Sequence, residues 1–169
     1  DMEGSRGLGD VYKRQVRAEA RPDNADYALV LGEYYLSGNE PAEALRYYER
    51  LIEADATAPE ILGKAAQSEF LSSGRVLSRR ARARAEQALA VDPMQAAALA
   101  TMGMAAFEET DYRQAIVYWQ RLRDLELPGS PGHDMLGQII ERARQELGEP
   151  LPEPVATVGV EVEISLGRD

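Results

Sequence analysis

Small residues that recur at a fixed interval are the feature that most constrains this 169-residue chain. One series consists of Gly32, Ala66 and Gly103, which are separated by 34 and 37 residues. A second series consists of Ala44, Ala81 and Ala115, which are separated by 37 and 34 residues. The two series are 12, 15 and 12 residues apart, so a three-residue insertion separates Ala66 from Ala81 and the underlying period is 34. A unit of that length buries its core only by packing against neighbouring units.

The side chains around these small residues match the tetratricopeptide (TPR) repeat, which is a pair of helices. The first repeat has Leu31-Gly32 and later Tyr48, and the third has Met102-Gly103 and later Trp119. Small residues let the two helices approach closely, and the aromatic side chains fill the wider gap beyond them. The second repeat is the most degenerate and carries mainly small residues followed by an Asp-Pro pair: Leu62, Ala65, Ala66, Ala81, Ala85, Ala88, Asp92 and Pro93. The sequence therefore predicts an all-α TPR solenoid with three helix-turn-helix repeats at about 25–58, 59–95 and 96–129.

A further helix is expected after the third repeat. Ser130-Pro131 has the residue types of a helix N-cap and first helical position, and an apolar stripe at helical spacing follows as far as Leu147. This segment, 130–147, is interpreted as the capping helix of a TPR domain that spans 16–148. The Pro-rich residues 149–154 predict an extended linker, and the alternating valines of 155–169 predict one orphan β-strand, the first strand of a truncated C-terminal domain.

The first fifteen residues are interpreted as foreign to the protein. Residues 5–15 resemble a translated sequencing adaptor, so 1–15 are treated as an adaptor-derived scar. The natural protein is then expected to extend upstream of Val16.

The composition limits the chemistry. With no Cys and one His, the chain cannot build a Cys or multi-His zinc site, an iron–sulfur cluster or a disulfide framework. The net charge of −10 opposes non-specific binding to nucleic acid or to an anionic membrane surface. The sequence shows no catalytic triad, metal cluster or phosphate loop. It therefore predicts a protein that is not an enzyme and that has no cofactor and no metal site. It also predicts no binding to nucleic acid and no membrane contact through this segment.

The TPR periodicity also predicts a peptide-binding groove. In a TPR array the first helix of each repeat lines the concave face, and fixed positions of the repeat point into it. These positions hold Leu29, Glu33, Leu36, Gln67, Phe70, Met104, Phe107 and Glu108. The third such helix, 96–107, carries no charged residue, so Met104 and Phe107 are left as an apolar strip that suits varied apolar helix faces. We expect the apolar anchors of a ligand helix to contact Met104, Phe107, Leu29, Leu36 and Phe70. Glu33 and Glu108 are expected to select Lys or Arg on the flanks of that helix. The alternative is that these residues pack on adjacent helices or on the capping helix.

An arginine cluster and the single histidine can each be interpreted as a binding site or as ordinary surface residues. Five arginines, Arg75, Arg79, Arg80, Arg82 and Arg84, could dock an acidic partner or a haem propionate, but the favoured interpretation is a solvated convex face. His133 could ligate a metal or haem iron, but a lone surface histidine is the favoured interpretation.

Several longer stretches resemble one family. They are the lengthened turn Ser-Ser-Gly-Arg at 72–75, the segment Tyr-Trp-Gln-Arg-Leu at 118–122, and Leu-Pro-Gly-Ser-Pro at 127–131, followed by the Pro-rich link into the Val-alternating segment. Residues 21–166 resemble the periplasmic TPR region of the c-type cytochrome biogenesis protein of the CcmI/CycH type, which is related to the TPR subunit of the nitrite-reductase haem lyase.

This resemblance implies a function that the residue pattern alone does not reach. It implies a chaperone-like module that holds apocytochrome c, through the C-terminal helix of the apocytochrome, and delivers it to haem lyase subunits. It also implies a periplasmic location, with the full-length protein anchored in the inner membrane by a segment upstream of this chain. The alternative is a generic TPR protein–protein interaction scaffold in a cell-envelope complex.

Overall fold

The computed structural model describes residues 9–10 and 25–149, and residues 25–149 form seven α-helices and no strand. Their bounds are α1 Ala25–Ser37, α2 Pro41–Glu53, α3 Pro59–Ser72, α4 Arg79–Val91, α5 Ala96–Glu108, α6 Tyr112–Arg123 and α7 Pro131–Glu146. The predicted strand at 155–169 lies outside the described residues, as do most of the predicted scar and all of the predicted linker beyond Glu149. The division of the chain into domains stays a prediction.

The helices pack as consecutive pairs, α1 with α2, α3 with α4 and α5 with α6, and α7 packs on α6. Each pair also contacts the next one, through α2 with α3 and through α5 with both α3 and α4. The buried side chains form three clusters, and the first two extend into the opening helix of the following pair, at Ala65 and at Met102. The third joins α5, α6 and α7. This is the nearest-neighbour packing of a solenoid, and the predicted all-α TPR fold is confirmed.

The ends of the helices follow from their capping residues. Ser78, Asp111 and Ser130 each accept a hydrogen bond from a backbone N–H three residues later, at 2.9, 3.2 and 3.2 Å. Three helices, α2, α3 and α7, begin with a proline, which lacks the N–H that would be unpaired at this position: Pro41, Pro59 and Pro131. The α7 helix therefore has both a capping serine and an initial proline.

The closest approach within a pair occurs where glycine faces an aromatic ring. A Cβ atom on Gly103 would lie 2.5 Å from Nε1 of Trp119, and one on Gly32 would lie 2.8 Å from Cζ of Tyr48. The rings therefore occupy the space that any larger residue would need. In the second pair the equivalent positions hold Ala66 and Ala85, both with 0% exposure, so a small side chain on one helix is matched by a small one on the other. This compensation accounts for the weak consensus of the second repeat.

Gly103→Ala is expected to lower the free energy of unfolding by about 2 kcal/mol, because the new methyl group would overlap the indole of Trp119. The matched control is Gly137→Ala in α7, where a Cβ meets nothing within 4 Å; it is expected to raise the free energy of unfolding by about 0.5–1 kcal/mol, because alanine favours the helix. Urea unfolding followed by far-UV circular dichroism measures both. Equal stability of Gly103→Ala and the parent chain would contradict this packing.

Candidate peptide-binding surface

The eight predicted groove residues differ in how accessible they are. Leu29 and Leu36 are half-buried and pack against the first core cluster, whereas Met104 packs against the third and Gln67 is half-buried on α3. Glu108 is exposed at the end of α5. Phe70 is only 1% exposed, so it belongs to the core and the expectation that it lines an open groove is wrong. A side chain at that depth reaches a ligand only if the helices around it move apart.

Phe107 is covered by its own repeat and by the capping helix. Its ring lies 5.1 Å from the ring of Tyr112 and 5.6 Å from that of Trp119, and the guanidinium carbon of Arg142 lies 5.8 Å from its centroid. Tyr112 and Trp119 belong to α6, and Arg142 belongs to α7. Phe107 therefore packs on the adjacent helix α6 and on the capping helix α7, as the alternative interpretation of the groove residues expects.

Glu33 already has partners inside the fold. Its carboxylate forms an ion pair with Lys64 of α3 and accepts a hydrogen bond from the hydroxyl of Tyr48 at 3.2 Å, and Lys64 also pairs with Glu60 at 3.2 Å. Burial, followed by the Glu60 charge, raises the pKa of Tyr48 to about 12, so this hydroxyl remains a donor at neutral pH. Burial lowers the pKa of Lys64 from its usual range. Glu33 thus ties the first repeat to the second, which weakens it as a site for a ligand cation.

The arginines of the second repeat form ion pairs with neighbouring helices. Arg84 binds both carboxylate oxygens of Glu49, at 2.6 and 3.1 Å, and lies 3.8 Å from Glu69. Arg80 donates to Glu69 at 3.0 Å. The Arg84 side chain is 13% exposed, so the expected solvated face is wrong for this residue. The hydrogen bond from Arg84 lowers the pKa of Glu49 below its ordinary value of 4.5.

The outer arginines pair more loosely. Arg82 donates to both oxygens of Glu109, at 2.8 and 3.1 Å, and Arg75 lies 3.6 Å from Glu108. Both pairs are largely exposed, so each contributes little to stability. Because these partners belong to the α5 end of the third repeat, the arginine cluster links successive repeats.

The repeat pattern continues into α7, beyond the three predicted repeats. Leu136-Gly137 repeats Leu31-Gly32 and Met102-Gly103, and Gly137 follows Gly103 by the 34-residue period. The α7 helix therefore occupies the place of the first helix of a fourth repeat. The 34-residue interval is present in the sequence, whereas the apolar stripe of 130–147 by itself predicts only a capping helix. An open depression runs along this face of α7 and is lined by His133, Asp134, Gly137, Gln138, Glu141, Arg142, Gln145 and Glu146.

Two kinds of feature are absent from the described residues, namely a cluster of metal-binding side chains and a membrane-spanning helix. No group of three His, Cys, Asp or Glu side chains within residues 25–149 could hold a metal ion. His133 lies in the first turn of α7, and its Nδ1 lies 3.7 Å from a carboxylate oxygen of the adjacent Asp134. In the same part of the chain, none of the helices has the length and apolar character needed to cross a bilayer.

Relatives share the sequence over most of the chain. The cytochrome c-type biogenesis protein CycH of Pseudomonas aeruginosa is 35% identical over 166 residues, which cover 96% of this chain and 41% of that protein. The chain is homologous to part of a CycH-type cytochrome c biogenesis protein. The formate-dependent nitrite reductase complex subunit NrfG of Escherichia coli O157:H7 is 30% identical over 68% of the chain and 58% of its own length. The chain spans less than two thirds of the length of each of these relatives.

The same region recurs in a larger protein and in a known fold. The bifunctional subunit NrfFG of the formate-dependent nitrite reductase complex of Haemophilus influenzae is 32% identical over 68% of this chain and 30% of its own length. The TPR domain of Sgt2 from Aspergillus fumigatus superposes with a TM-score of 0.54 at 23% identity, and the match covers 83% of this chain and 93% of that domain. That similarity shows the fold alone. No family model matches the chain.

Phe107→Asp is expected to lower the free energy of unfolding by about 3 kcal/mol, because it removes ring contacts with Tyr112 and Trp119 and places a charge beside them. The matched control Glu108→Asp keeps the charge at the exposed end of the same helix and is expected to leave stability within about 0.5 kcal/mol. Thermal unfolding by circular dichroism compares the two variants. If Phe107→Asp leaves the stability unchanged, Phe107 is not packed in the core and lies on the open concave face.

Arg84→Met is expected to lower stability at neutral pH by about 2 kcal/mol, because Glu49 and Glu69 lose a half-buried partner. Arg82→Met, which breaks an exposed pair, is the matched control and is expected to cost less than about 1 kcal/mol. Since the pKa of Glu49 is lowered in the fold, its contribution is present above the ordinary value of 4.5 and is lost as pH falls through the lowered value. Urea unfolding from neutral to acid pH tests this: the gap between the parent and Arg84→Met should narrow on acidification, and a constant gap would contradict the assignment.

Proposed function

We propose that this chain is a non-catalytic module that binds the C-terminal helix of an apocytochrome c and holds it for haem attachment by haem lyase subunits. The observation that carries the proposal is the homology to CycH over 96% of the chain, together with the homology to NrfG. A TPR solenoid suits this role, because its paired helices present an extended surface to a peptide helix. The proposed location is the periplasm, in a protein held at the inner membrane.

The surface proposed for the ligand lies toward the C-terminal end of the solenoid. There, Met104 is half-buried and Glu108 is exposed, and Arg142 of α7 lies 5.8 Å from the ring centroid of Phe107 on the same helix as both. At the N-terminal end, Leu29, Leu36 and Gln67 are half-buried, while Glu33 is engaged by Lys64 and Tyr48. Apolar anchors of a ligand helix would then rest on Met104 and its surroundings, and acidic side chains such as Glu108 would select Lys or Arg.

The proposed function predicts selective binding of one kind of helix. In a calorimetric titration of the full chain, a peptide with the sequence of a c-type apocytochrome C-terminal helix should bind at least about tenfold more tightly than a scrambled peptide of the same composition. Met104→Glu should weaken that binding, because it places a charge in the apolar strip. The matched control is Val117→Glu, which adds the same charge at a 39%-exposed position on α6 and should leave the affinity unchanged.

Two results would separate the proposal from its competitor. Equal affinity for the native and scrambled peptides would overturn the apocytochrome role and leave a TPR scaffold for another partner in a cell-envelope complex. Selective binding that Met104→Glu and Val117→Glu reduce equally would keep the role and remove Met104 from the contact surface. Circular dichroism of each variant establishes that its fold is intact before the titration is compared.

A further inference from the structure

One face of α7 differs from the equivalent face of every preceding first helix. The fourth, eighth and twelfth positions of the repeat lie on one side of the helix. In α5 these are Leu99, Gly103 and Phe107, and the second helix of the repeat covers them, with the indole of Trp119 against Gly103. In α7 the same positions hold His133, Gly137 and Glu141, and within residues 25–149 a Cβ on Gly137 would meet nothing beyond its own helix within 4 Å.

Glycine at this position is unfavourable for α7 by itself. In a helix interior it costs about 0.5–1 kcal/mol relative to alanine. At Gly32 and Gly103 the aromatic ring against the backbone accounts for the glycine, because no larger residue fits beneath the ring. At Gly137 no described side chain does so. The backbone is open between His133 and Glu141, in the shape that elsewhere in this protein receives an aromatic ring.

The charges around this opening favour a basic occupant. Asp134, Glu141 and Glu146 line the depression together with Arg142. Glu141 Oε1 accepts a hydrogen bond from Arg144 at 2.7 Å, whereas its Oε2 is out of contact with solvent and has no hydrogen-bond partner among the described residues. A carboxylate oxygen without a donor is costly. Because the Glu141 side chain is 34% exposed, rotation of the carboxylate would present this oxygen to a Lys or Arg side chain of the ligand.

We propose that the Gly137 notch, bounded by His133, Gly137 and Glu141, binds an aromatic side chain of a basic amphipathic ligand helix. The ligand helix takes the place of the second helix of a fourth repeat, with its ring on the backbone of Gly137 and a Lys or Arg paired with Glu141. Residues 150–169 do not match this occupant: they contain no aromatic residue, and they carry four acidic side chains against Arg168 alone.

This inference rests on the proposed function and names the recognition element within it. The test is a calorimetric titration of the full chain and two variants. Gly137→Leu fills the notch, and Met135→Leu changes a 58%-exposed residue of the same helix that does not line the depression. The probes are the apocytochrome C-terminal-helix peptide, the same peptide with its aromatic residues replaced by alanine, and the scrambled peptide.

The proposal expects Gly137→Leu to weaken binding of the native peptide at least about tenfold, and Met135→Leu to leave it unchanged. The alanine-substituted peptide should bind the parent chain as weakly as the native peptide binds Gly137→Leu. Glu141→Gln should weaken binding and reduce its dependence on salt concentration, because one ion pair is lost.

Three results would overturn it or separate it from the proposed function. Selective peptide binding that Gly137→Leu does not affect would overturn the notch and keep the apocytochrome role. If native and scrambled peptides bind alike, the apocytochrome role is wrong. The notch is then tested with a designed basic helix that carries one Trp. The notch proposal is overturned if Gly137→Leu binds that helix as tightly as the parent chain does. A melting temperature of the peptide-free Gly137→Leu protein several degrees below that of the parent would mean that another part of the chain fills the notch, which also overturns the proposal.

Discussion

The close contact between a glycine on one helix and an aromatic ring on the next is the constraint on which this solenoid depends. Gly32 with Tyr48, and Gly103 with Trp119, hold the two helices of a pair closely enough that no side chain fits between backbone and ring. That contact orients the first and third pairs, while Ala66 and Ala85 take the same positions in the second pair. The opening helix of the next pair completes each of the first two core clusters, at Ala65 and at Met102. Because each cluster is shared only between neighbours, stability builds along the chain rather than around one centre.

Half-buried ion pairs add a second connection between the repeats. Arg84 joins α4 to Glu49 of α2 and approaches Glu69 of α3, while Lys64 of α3 pairs with Glu33 of α1. In a chain with 29 acidic and 19 basic side chains, these pairs place cations where carboxylates are least solvated. Breaking one of these pairs by removing its cation would leave a poorly solvated carboxylate without its partner, so the pairs favour the observed contacts between successive repeats. The arginine cluster is therefore part of the architecture of the protein.

The same packing decides where a ligand can bind. Apolar residues that periodicity assigns to the concave face are used by the solenoid itself, fully at Phe70 and largely at Phe107. The groove positions that remain more accessible include Met104 and Glu108. The repeat pattern also continues into α7, which no second helix follows among the described residues. Homology to CycH and NrfG and an open glycine notch on the last helix support one interpretation, in which the ligand helix extends the solenoid by one more helix.

The sequence by itself determined the all-α class, the 34-residue period and the helix pairs, because small residues and aromatics at fixed spacing allow few other packings. It also carried the family resemblance, through segments such as 118–122 and 127–131. It did not determine which groove residues are accessible. A residue such as Phe70 or Phe107 has the same position in the repeat whether the adjacent helix covers it or leaves it open, and only the three-dimensional arrangement of α6 and α7 decides between these states. The partners of Glu33 and Arg84 were likewise decided by the tertiary structure, since they come from other helices, 31 and 35 residues away along the chain.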